Sequence, residues 1–166
     1  VEYTRYLSNC GMNVPEILIS KNERFVELIE NEHGYFTGIL YQKVPGVPPW
    51  ESDLDDIPTR VGRFMAQAHN FSQAFNLSKG ERLTIIEDFL PLLDGFEDSE
   101  ISNLAMEYIG ELKKLNVTKE NYGLIHMDFH FGNFFVDGDE LWLFDFDDCS
   151  YSWFVSDIAI SLFYSL

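Results

Sequence analysis

Positive charge is what this chain has least of. Eleven Lys and Arg stand against 28 Asp and Glu in 166 residues, a formal net charge of −17. Such a field repels a nucleic-acid backbone and argues against that class of partner. It would attract a cationic small molecule, though an acidic surface also serves solubility alone. Cysteine is scarce as well. Cys10 and Cys149 make no metal or redox spacing, so they read as free thiols in a reducing, cytoplasmic setting. No uncharged apolar run is long enough to span a bilayer. The start, Val1-Glu2-Tyr3-Thr4-Arg5, lacks the basic and apolar regions of a secretory signal. Internal repeats and low-complexity tracts are absent. At 46% hydrophobic content the chain can bury a sizeable core as one soluble domain.

Local patterns predict an order of elements. A helix over 4–10 should end at Gly11. Strands are expected over 17–20, 24–29 and 35–43, the last rich in β-branched and aromatic residues. Residues 45–49 carry three prolines, Pro45, Pro48 and Pro49, and form the candidate boundary between two parts. A helix should begin at Asp55 or Asp56, with Pro58 in its first turn, and run to about 75. Another is expected over 100–115, where Ile101, Leu104, Ala105, Tyr108, Ile109 and Leu112 recur at helical spacing. The stretch 94–100 is acidic and expected to be exposed.

The chemistry is concentrated late in the chain. The run Leu124-Ile125-His126-Met127-Asp128-Phe129-His130-Phe131-Gly132-Asn133 reads His-x-Asp-x-x-x-x-Asn. Phe134-Phe135-Val136 follows as a strand, Asp137-Gly138 as a turn and Leu141-Trp142-Leu143-Phe144 as the returning strand. A hairpin of this kind brings Asp145 back beside the loop. That is the order of parts in a kinase centre: a base, a metal-binding amide and a metal-binding carboxylate. Phosphoryl transfer asks of a protein chiefly positioning and charge neutralisation. Mg²⁺ prefers oxygen ligands, which suits Asn133 and Asp145, and Asp128 can accept a hydroxyl proton. A rival reading takes His126, Asp128 and His130 as zinc or iron ligands of a hydrolase. It leaves Asn133 and Asp145 without a role.

The same residues resemble the aminoglycoside phosphotransferase and choline kinase-like family, small-molecule kinases related to protein kinases. Their catalytic loop usually reads His-Gly-Asp-x-His-x-Gly-Asn. His126, Asp128, His130, Gly132, Asn133 and Asp145 match it position by position, while Met127 replaces the usual Gly and Phe131 a frequent Pro. Asp157-Ile158-Ala159 resembles the family's Asp-Leu-Ala, whose Asp braces the loop. Tyr41, Gln42, Lys43 and Val44 look like the hinge whose backbone bonds the adenine. The helix segment ending at His69 resembles a family Leu-Ala-x-Leu-His helix.

The resemblance implies an α+β, protein kinase-like fold. Residues 1–46 would be a partial nucleotide-binding lobe with its hinge, and 47–166 a mainly helical catalytic lobe with a loop and hairpin. It implies ATP and Mg²⁺ as cofactors, a small hydroxyl acceptor, Asp128 as base, Asn133 and Asp145 on the metal, and His126, His130 and Asp157 as support. A phosphate-covering Gly-rich loop and a strand Lys, which such a kinase needs, do not occur upstream of the first helix. The expectation is therefore a fragment of a longer kinase, with a non-catalytic pseudokinase or binding fragment as the alternative. Several neighbours have plainer readings. His69 is expected in helix packing, Tyr151, Trp153 and Phe154 in the core, and one of Asp147 and Asp148 in a cap rather than on a metal.

Overall fold

The computed structural model describes residues 1–77, 82–93 and 99–165. The acidic stretch predicted over 94–100 lies almost wholly outside them. The architecture is α+β: small antiparallel sheets come first, and a mainly helical part carries a long-range strand pair and a hairpin.

Helix α1 (Glu2–Asn9) buries Tyr3, Thr4 and Leu7, one stripe at helical spacing. Gly11 stops it at φ +84, a left-handed conformation that glycine adopts without steric cost. Two bonds close the end: Gly11 N–H donates to Ser8 O (2.9 Å) and Met12 N–H to Leu7 O (3.0 Å). Together they make a Schellman motif.

Strand β1 (Ile17–Leu18) pairs with β4 (Leu40–Tyr41), and β2 (Glu27–Asn31) pairs with β3 (Gly34–Gly38). Two predictions shift here. The strand expected over 24–29 starts later, because Ser20 and Arg24 close a turn with Glu23 at φ +61. The strand expected over 35–43 is split at Ile39, because its two halves pair with different partners. Propensity alone does not show that change of partner.

A 3₁₀ turn (Pro49–Glu51) leads to α2 (Ile57–Ser72), with Pro58 in its first turn as expected. Its buried face is Val61, Met65, Ala68, His69 and Ser72, and it packs on β5 (Tyr122–Ile125). Helix α3 (Ile85–Leu93) was not predicted, although Thr84-Ile85-Ile86-Glu87 is a capping-box pattern. Glu87 Oε2 accepts from Thr84 N–H (2.8 Å), and Thr84 Oγ1 accepts from Glu87 N–H (3.3 Å). Helix α4 (Ser99–Leu112) follows near its predicted range.

β5 pairs antiparallel with β8 (Ser150–Trp153), a long-range match that no local pattern announces. Between them lies the predicted hairpin, β6 (Phe134–Asp137) and β7 (Glu140–Leu143), turned by Gly138 at φ +58. Helix α5 (Val155–Phe163) comes next. The core joins α1, α2 and both strand pairs, with Leu7, Phe129, Phe134 and Leu143 at its centre. Full burial of each is worth about 1.5–3 kcal/mol. Trp153 and Phe154 are buried with it, as expected. Among the described residues no helix is long and apolar enough to cross a membrane.

The early and late parts are laced through this hairpin. Val47 and Val136 exchange two backbone bonds (2.9 and 2.8 Å), and Leu143 N–H donates to Asn13 O (3.0 Å). Gly46 makes the first contact sterically possible. It sits at φ +89, and a Cβ there would lie 2.2 Å from Val136 O. Gly46→Ala should therefore lower stability by about 2 kcal/mol or more, since neither the backbone angle nor the backbone neighbour can yield cheaply. Chemical denaturation of the two proteins measures this.

Candidate active site

The loop between β5 and β6 carries His126, Asp128, His130 and Asn133. Phe129 anchors it from within, buried in the core. Phe144 N–H donates to Asn133 O (2.9 Å), so the hairpin places the residue before Asp145 directly opposite Asn133. The juxtaposition expected from sequence is thus present in the backbone.

Hydrogen bonds orient the Asp128 carboxylate. Asn133 Nδ2 donates to Asp128 Oδ2 (2.6 Å) and to Asp128 O (2.9 Å). His130 Nε2 lies 3.3 Å from the same Oδ2. Gly132 N–H donates to His130 Nδ1 (2.9 Å), which leaves the ring proton on Nε2, where it faces the carboxylate. The Asn133 bond and the His130 ring both approach Oδ2, and Asp128 is only partly buried.

His126 is buried and supports the loop. Its Nε2 donates to Phe144 O (3.0 Å), and its Nδ1 accepts from Asp128 N–H (3.2 Å). A carbonyl can only accept and an amide N–H can only donate, so the ring is neutral with its proton on Nε2. Both nitrogens are occupied, and His130 Nδ1 is engaged by Gly132 N–H. The reading of His126, Asp128 and His130 as a zinc or iron triad is therefore not the arrangement found. Among the described residues no group of three His, Cys, Asp or Glu is disposed to hold a metal.

Asp157, in the first turn of α5 and buried, reaches the loop from below. Its Oδ1 accepts from Met127 N–H (2.8 Å), and its Oδ2 from His126 N–H (3.4 Å). His69 Nε2 lies 2.8 Å from Oδ2, and the His69 ring stacks on Phe154 at 4.6 Å. His69 is thus more than helix packing. Its sequence signals were a polar residue on a largely apolar helix face and its place at the end of the segment that resembles the family's Leu-Ala-x-Leu-His helix. Met127 sits at φ +65 and Asp145 at φ +64, a region L-residues seldom occupy. A left-handed angle at position 127 accounts for a glycine being the easier residue there.

The four predicted hinge residues meet Asp145. Tyr41, Gln42, Lys43 and Val44 line one cavity of about 380 Å³ together with Phe135, Phe144, Asp145 and Asp147. Burial, and then the carboxylates of Asp147 and Asp145, push the Tyr41 phenol above its ordinary pKa. Gln42 N–H already donates to Glu16 O (2.8 Å), so that amide is committed within the sheet.

Two predictions follow from the loop supports. Asp157→Ala would leave the Met127 and His126 amides and the His69 ring without their acceptor. It should cost about 3 kcal/mol or more, read by denaturation. Burial holds the His126 pKa below its ordinary value. The unfolded chain thus binds the proton more readily, near pH 6.5, and stability should decline as pH falls below about 6.5. Comparing denaturation at pH 7.5 and pH 5 should show a smaller decline for His126→Gln than for the wild type.

The profile of the phosphotransferase enzyme family matches residues 1–166. The amicoumacin kinase of Bacillus subtilis (strain 168) is 32% identical over 175 residues, covering 98% of this chain and 51% of that protein. The solved structure of amicoumacin kinase hAmiN in complex with AMP-PNP, Ca²⁺ and Ami superposes with a TM-score of 0.89. Identity there is 30%, over 98% of this chain and 51% of that one. A microcompartment-associated aminopropanol kinase matches with a TM-score of 0.77 at 23% identity, over 97% of this chain and 56% of that one, and so shares the fold. This chain spans about half the length of these relatives. The chain therefore belongs to the phosphotransferase enzyme family and has its protein kinase-like α+β fold.

Proposed function

We propose that this chain carries the catalytic centre of an ATP-dependent kinase that phosphorylates a hydroxyl group of a small molecule. The observation that carries the reading is the Asp128 carboxylate. Asn133 and His130 hold it by Oδ2, which leaves Oδ1 to meet an acceptor hydroxyl. In the step itself the hydroxyl oxygen bonds to the γ-phosphorus of ATP while the bond to the β,γ-bridging oxygen breaks. ADP leaves with that electron pair, and the hydroxyl proton passes to Asp128.

The donor set suits the cofactors. Asn133 spends its Nδ2 on Asp128, so its amide oxygen remains for a hard cation. Asp145 supplies a carboxylate at the wall of the cavity that the hinge also lines. Mg²⁺ bound there would neutralise charge on the phosphates. Tyr41, Lys43 and Val44 are the hinge residues that would face the adenine. On this reading residues 1–46 serve the nucleotide and 47–166 the chemistry. The relatives support it, since one was solved with AMP-PNP and Ca²⁺ and others are kinases of amicoumacin and aminopropanol.

The test is steady-state kinetics on the protein that carries this chain. Asp128→Asn should lower kcat by about 10²–10⁴-fold and leave nucleotide affinity unchanged, because a general base acts as the hydroxyl loses its proton. Asp145→Ala should instead abolish the dependence of nucleotide binding on divalent metal. Full turnover by Asp128→Asn would refute the assignment.

A further inference from the structure

Asp157 is not the only residue of α5 that engages the catalytic loop. Ser161 and, at the C-cap, Tyr164 share its helix face, since the three recur at helical spacing. The loop runs along that face. Asp157 accepts from the amides of His126 and Met127. The Ser161 hydroxyl donates to Phe129 O. The Tyr164 ring lies against that of His130, with centroids 4.6 Å apart and planes tilted by 43°. Tyr164 is 58% exposed, so burial in the core is not what holds it there.

This contact completes an enclosure around the His130 imidazole. At one edge Gly132 N–H donates to Nδ1 (2.9 Å). A Cβ at position 132 would lie 2.6 Å from Cε1, so any larger residue there would displace the ring. At the other edge Nε2 lies 3.3 Å from Asp128 Oδ2. The backbone beneath is held separately, by His130 N–H donating to Asp128 O (3.0 Å) and by the Ser161 bond to Phe129 O. The outer torsion of a histidine side chain is soft. Contacts at two edges therefore leave the ring free to swing out of its plane, and a second ring against its face removes that freedom.

We infer that Tyr164 is a positioning residue for the proposed base: its ring holds the His130 imidazole with Nε2–H toward Asp128 Oδ2, which keeps Oδ1 turned to the acceptor hydroxyl. Tyr164 acts through His130 and not on the reacting atoms. The inference rests on the phosphotransfer reading and adds to it a residue from the far end of α5. The ring makes the contact, so phenylalanine would serve at position 164. A side chain without a ring would let the imidazole swing, and Asp128 would lose it as a neighbour for part of the time. A base misplaced in this way slows the chemical step and leaves nucleotide binding alone.

The test uses the full-length protein that carries this chain, labelled with ¹⁵N at histidine. Long-range ¹H–¹⁵N spectra show which ring nitrogen bears the proton, and His130→Gln assigns the signals. The wild type and Tyr164→Phe should show His130 protonated at Nε2 alone, whereas Tyr164→Ala and Tyr164→Leu should show a mixture of ring forms. ADP release from MgATP, with water as acceptor, follows turnover. Tyr164→Ala should lower kcat about two- to tenfold with KM for ATP unchanged, the size expected for the loss of one aromatic pair. Tyr164→Phe should recover most of it. In a His130→Gln background Tyr164→Ala should have no further effect, because the two residues act as one unit. Wild-type ring signals and turnover in Tyr164→Ala, a Phe variant as impaired as the Ala variant, or full additivity with His130→Gln would overturn the inference. A lower melting temperature with kcat intact would assign Tyr164 to stability and overturn it equally. The two readings fail separately. ADP release that survives Asp128→Asn removes the proposed base, while the nitrogen spectra still decide whether Tyr164 holds His130.

Discussion

The buried carboxylate of Asp157 is the point on which the site depends. It collects two backbone amides from the catalytic loop and the His69 ring from α2. A carboxylate in such a place is tolerable only when its oxygens are well supplied with donors. The dependence runs both ways. The loop needs an acceptor for amides that no strand or helix satisfies, and the carboxylate needs those amides to remain buried. Helices α2 and α5 are thereby tied directly to one another, and α5 also to the loop that carries Asp128.

From that brace the order of the site follows outward. Met127 is held in a left-handed conformation, its backbone N–H donating to Asp157 Oδ1, and the chain turns there so that Asp128 meets Asn133 and His130. His126 closes the circuit by bridging the loop to Phe144, the residue before Asp145. Asp145 is itself left-handed. Local strain at the residue next to the proposed base and at the proposed metal carboxylate is the kind of cost that a surrounding network must over-determine. Here the network consists of Asp157, His126 and the hairpin register.

The hairpin also connects the two parts of the molecule. Its outer strands bond to Val47 and Asn13, and its far end leads into the cavity shared by Tyr41, Lys43 and Asp145. One four-residue ladder between β6 and β7 therefore sets the distance between hinge, loop and carboxylate. A one-residue slip in that ladder would turn every side chain to the opposite face.

Features of short range were legible in the sequence. Gly11 and Pro58 mark helix ends, and Gly138 marks a hairpin turn, because their backbone restrictions act within a few residues. The spacing of Asp128, Asn133 and Asp145 implied one site, since a loop and a tight turn leave few alternatives. The pairing of β5 with β8, the split at Ile39 and the engagement of His69 with Asp157 were decided by tertiary structure. Each joins residues whose partners lie elsewhere in the chain, and local propensity carries no information about that choice. The capping box at Thr84 lies between these cases: its pattern is local and visible in the sequence, yet the helix it starts is short and contains Pro91. The sequence by itself determined which groups can do the chemistry. Only the fold decided which oxygen of Asp128 is held and which residues share a cavity with Asp145, because both depend on contacts between segments that the order of residues does not bring together.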